Sequence, residues 1–270
     1  MNLIRRFLPF LLSLAHAGAL LVLYFQPKWL FALFSMPRIS SVFVLSVLAF
    51  CLGLAFFALM SIGYGYHVLS RLRFYPFLAV STTSAFIVFL YTDYRPILLG
   101  ITFVVPAYTW IWTESLYLFW QQPVLYQPYT LQRLASYLYL LEIFLFVAAI
   151  SGLQVLFLVP TWITLPVSAA LYLFVQYDVL FLSRLDSAYA WKVAFVGTIL
   201  AIQLQVVLQT LPTHFLLYSG LMTIFFYAWL GLTKQAANPQ QPYTRRQVLP
   251  YALVSTLGAV MTFVSSLWIV

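Results

Sequence analysis

Glu142 sits 11 residues into a long apolar run, where an ionisable group costs several kcal/mol to bury and needs a compensating reason. His16 occupies a comparable place, nine residues into another such run. At 1.5 Å of helical rise per residue these are depths of roughly 16 Å and 14 Å. A carboxyl and an imidazole can form a protonatable pair. In a dry site both would be neutral and hydrogen-bonded to each other, whereas a water-filled cavity would let them exchange protons near neutral pH. The competing reading is a static polar clasp between two helices.

Four further positions are weaker candidates for chemistry. Glu114 lies 18 residues beyond Pro96, near the end of its run, where it can pair with Arg71, Arg73 or Arg133. Gln205 and Gln209 are four apart on one helix face and can bond a neighbouring helix. Pro106 should bend its helix and free the Thr102 carbonyl. Asp178 and Asp186 fall at run ends, within reach of Arg184 and Lys192, and read as surface pairs. Ser81-Thr82-Thr83-Ser84 is a hydroxyl cluster, although hydroxyls readily bond their own helix.

No catalytic residue is assigned. HExxH, GxSxG, Walker-loop and paired-aspartate motifs are absent, so the chain reads as non-enzymatic. With one cysteine, Cys51, there can be no disulfide within the chain and no thiol metal centre; no metal and no cofactor are expected. Ser61-Ile62-Gly63-Tyr64-Gly65 has the look of a potassium-channel filter, but it ends an unbroken run on the wrong side of the membrane. Its glycines instead allow close helix contact.

The elements that must carry these residues follow from composition. Hydrophobic residues make up 64% of the 270 and charged residues 7%, with a mean hydropathy of +0.98. A soluble domain carries about 25% charged residues, so a water-facing surface cannot be built from this inventory. Continuous rather than alternating apolar runs argue for helices and against a transmembrane barrel. The expected fold is all-α, a polytopic transmembrane bundle of about nine helices. The spans are 7–25, 41–66, 74–92, 96–120, 131–152, 160–180, 190–210, 213–232 and 248–270.

Orientation is read from charge. The net charge of +8 is dispersed between the runs rather than clustered, which excludes a nucleic-acid patch. With a cytoplasmic N-terminus, ten of the 13 basic residues fall inside and only Lys28, Arg38 and Arg95 outside, which places the C-terminus outside. Trp29, Trp162 and Trp268 then fall near the outer interface and Trp120, Trp191 and Trp229 near the inner one. Ala15-His16-Ala17 resembles a signal-peptidase site, but the apolar run continues to Phe25, so an uncleaved first helix is expected. Lys28 to Arg38 reads as interfacial, and Thr233 to Gln247 as a solvated connector. Such short loops point to a prokaryotic inner membrane.

An internal duplication organises the runs. Leu69-Ser70-Arg71-Leu72 returns as Leu182-Ser183-Arg184-Leu185, Tyr108-Thr109-Trp110 as Tyr227-Ala228-Trp229, and Gln127-Pro128-Tyr129-Thr130 as Gln241-Pro242-Tyr243-Thr244. The offsets are 113, 119 and 114 residues, in one order and at equivalent topological places. The implied plan is parallel 4+4 repeats, 1–126 and 127–240, with a ninth transmembrane helix over 241–270. The duplication aligns spans one and five, so His16 and Glu142 would face each other across the pseudo-axis. The function expected is binding or translocation of a small solute, proton or lipid; the alternative is a structural or assembly subunit of a larger membrane complex. Partners are the lipid bilayer and either another membrane protein or further copies in a homo-oligomer.

Overall fold

A computed structural model of the protein describes residues 2–24, 37–66, 72–92, 95–124, 130–183, 185–210, 215–236 and 245–266. Among the described residues there are nine α-helices and no strand. They are α1 (Asn2–Tyr24), α2 (Pro37–Ile62), α3 (Tyr75–Tyr91), α4 (Arg95–Gln121), α5 (Thr130–Phe157), α6 (Thr161–Leu182), α7 (Ser187–Gln209), α8 (Phe215–Ala236) and α9 (Arg245–Ser266). Six of these, α1 and α4 to α8, are long and apolar enough to cross a membrane. The remaining three carry shorter apolar segments, Ser46–Ile62, Tyr75–Phe89 and Val248–Gly258. Large apolar side chains face outward: Phe103, Trp162 and Met261 are each more than two-thirds exposed, at 69%, 74% and 73%. A surface of that kind suits lipid rather than water.

Local chemistry sets the helix ends. Pro160 in extended geometry is the N-cap of α6, and Pro76 opens α3, both places where a missing N–H loses no partner. Asp186 was expected to pair with Arg184 or Lys192. It is instead the N-cap of α7, its carboxylate accepting from the Ala188 and Tyr189 N–H groups at 3.1 and 3.2 Å. The glycine segment after Ser61 closes α2 in a turn, with Gly65 at φ +99°, a conformation only glycine adopts without strain. Gln121 Nε2 donates to the Ile62 and Tyr64 carbonyls at 2.6 and 3.3 Å, which satisfies the end of α2. The Lys28–Arg38 segment reaches the described residues only at its last two positions, and the centre of the Thr233–Gln247 connector lies outside them.

The chain forms two compact units, Met1–Leu134 and Ala135–Val270. In the first, α1 packs on α2 and α4, α2 on α3 and α4, and α3 on α4. An aromatic cluster fills it: Phe77 lies 4.4 Å from Trp112 and 5.0 Å from Tyr108 between ring centroids, and Phe74 packs on Trp112 and Trp120. Trp120, expected in the headgroup belt, is therefore a buried core residue, and its carbonyl accepts from Tyr66 Oη at 3.0 Å. Trp162 and Trp191 are exposed, whereas Trp29 and Trp268 lie outside the described residues.

In the second unit α6 packs on α7 and α8, α7 on α8, and α8 on α9. Hydrogen bonds tie α5 to α6, α7 and α8, and every residue from Leu145 to Gly152 is buried, so this stretch of α5 is covered all round. Helices α8 and α9 interlock through two glycine notches. A Cβ on Gly231 would lie 2.1 Å from the Tyr251 ring, and one on Gly258 would lie 2.0 Å from Ile224 Cδ1. Each helix thus gives one notch and one knob, seven residues apart, which brings the backbones close where no polar bond is needed.

Candidate functional site

The second unit holds a buried polar seam. On α6, Thr164, Ser168, Tyr172 and Gln176 recur every four residues, so they lie on one face and span roughly 18 Å of helix. All four are buried. Tyr172 Oη donates to Gln205 Oε1 at 2.8 Å, and Gln205 Nε2 donates to Ser168 Oγ at 3.3 Å. One turn further along α7, Gln209 Nε2 donates to Gln154 Oε1 at 2.7 Å, and Gln154 Nε2 in turn donates to Thr164 Oγ1. Gln205 and Gln209 are thus the interhelical bonds their spacing suggested, and they join α5, α6 and α7. Replacing Gln154 by Leu is expected to cost about 1–2 kcal/mol, because it removes both bonds of this bridge. A lowered unfolding midpoint in detergent would show it.

Toward the other end of the seam the bonding is incomplete. Gln176 Nε2 donates to Thr198 Oγ1 at 3.2 Å, but Gln176 Oε1 is buried without a hydrogen-bond partner among the described residues. The same is true of Trp229 Nε1. Both atoms crowd Gly197: a Cβ there would lie 1.9 Å from Gln176 Oε1 and 2.2 Å from Trp229 Nε1. An acceptor and a donor therefore meet over a glycine backbone without bonding each other.

Glu142 is the strongest case. It is fully buried on α5, and neither carboxyl oxygen has a hydrogen-bond partner among the described residues. One turn away on the same helix, Tyr139 Oη donates to Asp178 Oδ2 of α6. Asp178 is buried and close enough to act electrostatically on Glu142. The expectation that Asp178 is a surface group is thereby corrected; Arg184, one of the partners expected for it, lies outside the described residues. The place of Asp178 near the end of α6 suggested the interface, but α5 covers it and supplies the phenol.

His16 belongs to the first unit and is satisfied there. Nδ1 lies 2.9 Å from the Leu12 carbonyl and Nε2 3.2 Å from Thr82 Oγ1 on α3. A carbonyl only accepts, so Nδ1 carries hydrogen in this bond, while Nε2 and the Thr82 hydroxyl share the other. The Leu78 carbonyl, 2.7 Å from Thr82 Oγ1, is an alternative acceptor for that hydroxyl's one hydrogen, and Ser81 donates to the same oxygen at 3.1 Å. Both ring nitrogens of His16 are thus engaged inside the first unit, while the Glu142 oxygens make no hydrogen bond among the described residues.

Glu114 is half-buried on α4, and the cation that acts on it is Arg6 of α1. Pro106 lies within an unbroken α4 and is buried. Its own carbonyl accepts from Ser13 Oγ of α1 at 2.8 Å and from Thr109 Oγ1 at 2.9 Å. The proline therefore marks a bonded contact between α1 and α4. Among the described residues no cluster of three or more histidine, cysteine or acidic side chains could hold a metal ion.

Sequence reasoning passed over Tyr139, Ser168, Tyr172 and Gln176, and read Trp229 only as an inner-interface residue. The signal for the α6 residues was present as a four-residue period of hydroxyl and amide groups, which marks one inward face of a membrane helix. Compared with known proteins, the chain matches no family model, no curated protein and no solved structure.

Proposed function

We propose that this is a multi-pass membrane protein, non-enzymatic, whose second unit binds and translocates a proton or a small hydrogen-bonding solute at Glu142. The observation that carries the reading is the buried carboxyl with both oxygens unpartnered. A structural clasp satisfies its polar groups, because each buried group left unmade costs about 1–3 kcal/mol. Gln205, Gln209 and His16 behave as clasps in this sense, and Glu142 does not. Gln176 Oε1 and Trp229 Nε1 add a further acceptor and donor to the same unit, as a polar cargo would require. No step beyond protonation and hydrogen bonding is needed.

The helix wiring supports a 4+4 duplication. In each unit the second helix meets the third and fourth, and the third meets the fourth. The first helix joins the second and fourth by packing in one unit, and by the Tyr139–Asp178 and Ser136–Lys234 hydrogen bonds in the other. The recurring segments of the sequence have the same order. The charge bias favours a cytoplasmic N-terminus, and the short loops favour a prokaryotic inner membrane.

A hydrophobic carbodiimide tests the site without knowledge of the cargo, because it modifies protonated carboxyls reachable from the membrane. The expected result is labelling of Glu142, mapped by mass spectrometry, that falls as pH is raised from 5 to 9. An absence of labelling across that range in folded protein would move the reading to a structural or assembly subunit.

A further inference from the structure

A cavity of about 130 Å³ opens between α5, α8 and α9 of the second unit, away from the glutamine ladder; one water occupies about 30 Å³ in the liquid. Its wall carries Lys234, Ser136 and three tyrosines, Tyr137, Tyr227 and Tyr251. The ammonium donates to Ser136 Oγ at 2.6 Å, which fixes its position and leaves two of its hydrogens for another acceptor. Tyr251 is seated in the Gly231 notch with its ring 5.1 Å from that of Tyr227, so the phenol side of the wall is rigid.

Charge and depth define what would fit. The chain has five acidic residues, and of the four among the described residues none is bonded to Lys234. Glu142 has no hydrogen-bond partner, Asp178 bonds Tyr139, Asp186 caps α7, and Glu114 belongs to the first unit. Counting from Phe215, Lys234 lies about 29 Å along α8, which is the thickness of a bilayer hydrocarbon core. The ammonium thus reaches the depth at which lipid phosphates begin.

We propose that the cavity is a binding site for a phosphate-bearing anion, held by the Lys234 ammonium and the phenol O–H groups, with an anionic lipid headgroup as its source. A zwitterionic headgroup brings its own cation and gains little from Lys234, whereas an anionic one gains the full attraction.

Native mass spectrometry of the full chain, released from micelles holding equal phosphatidylglycerol and phosphatidylcholine of matched chains, tests this. The expected result is preferential retention of phosphatidylglycerol, reduced about fivefold by Lys234→Gln and preserved by Lys234→Arg. Lys192→Gln, at an exposed position on α7, and Glu142→Gln should leave the preference unchanged. If Lys234→Gln does not fold, Ser136→Ala releases the ammonium and should weaken the preference severalfold. Equal retention of both lipids by the wild type with no response to phosphate, or a preference untouched by Lys234→Gln, would overturn the site. A rise in thermal stability with millimolar inorganic phosphate, present in the wild type and absent in Lys234→Gln, would keep the anion site and make free phosphate its source.

Discussion

Glu142→Met is expected to make the protein more stable while abolishing its carbodiimide labelling and any proton-linked flux. Methionine is unbranched like glutamate and flexible enough to adapt to the space, so an unpartnered buried carboxyl is removed with little repacking around α5. The gain is the desolvation cost of a buried polar group without a hydrogen bond, about 1–3 kcal/mol. For a chain of this size each kcal/mol moves the unfolding midpoint by roughly 2–4 °C. Thermal unfolding in detergent would register the rise, and release of protons from acid-loaded vesicles would register the loss. A residue kept for function at the expense of stability gives this pair of opposite changes. A fall in the midpoint would instead mean that Glu142 holds helices together, and the transport reading would be abandoned.

Gly197→Ala is expected to destabilise the second unit markedly. The new Cβ would lie 2.7 Å or less from Trp229 Nε1 and Cε2 and from Gln176 Oε1. The amide can swing away, but the indole is a rigid plate stacked against Phe225, at 6.3 Å between centroids and 10° between planes. Relieving the clash therefore requires α7 and α8 to separate, with a cost of about 1–3 kcal/mol. Gly220→Ala on α8 is the matched control, because its Cβ meets nothing within 4 Å. There the only change is loss of glycine's freedom in the unfolded chain, a gain of about 0.4–1 kcal/mol. Melting curves of the two variants should move in opposite directions, and a neutral Gly197→Ala would mean that the helices are loosely packed.

Much of the helical plan was legible because apolar run length is a strong signal. The run expected over 96–120 is α4 at Arg95–Gln121, and that over 160–180 is α6 at Thr161–Leu182. Ends were less so: α2 starts at Pro37 rather than 41 and stops at Ile62, since Gly63 and Gly65 turn the chain before the polar residues arrive. The burial of Glu142 and His16 followed from depth alone. Their partners did not, because depth says nothing of which way a helix face is turned. Asp178 and Trp120 show the same limit: each lies near a helix end and reads as interfacial, yet α5 covers one and the Phe74 cluster the other. The α6 face could have been found from period, but its threonine, serine and tyrosine residues resemble the hydroxyl background of the rest of the chain.

The paired notches between α8 and α9 have a mechanical consequence. Tyr251 and Ile224 can each drop into place only where a glycine leaves room, and the two sockets are seven residues apart. Sliding α9 along its own axis by one turn would drive both knobs against ordinary side chains at once. The other glycine of α8, Gly220, is 11 residues from Gly231, about 16 Å of helix, so no neighbouring register reseats Tyr251. The coupling behaves as a detent: α9 can swing outward or come off whole, but it cannot creep. Any movement of α8 that keeps the two helices in contact must therefore carry α9 with it.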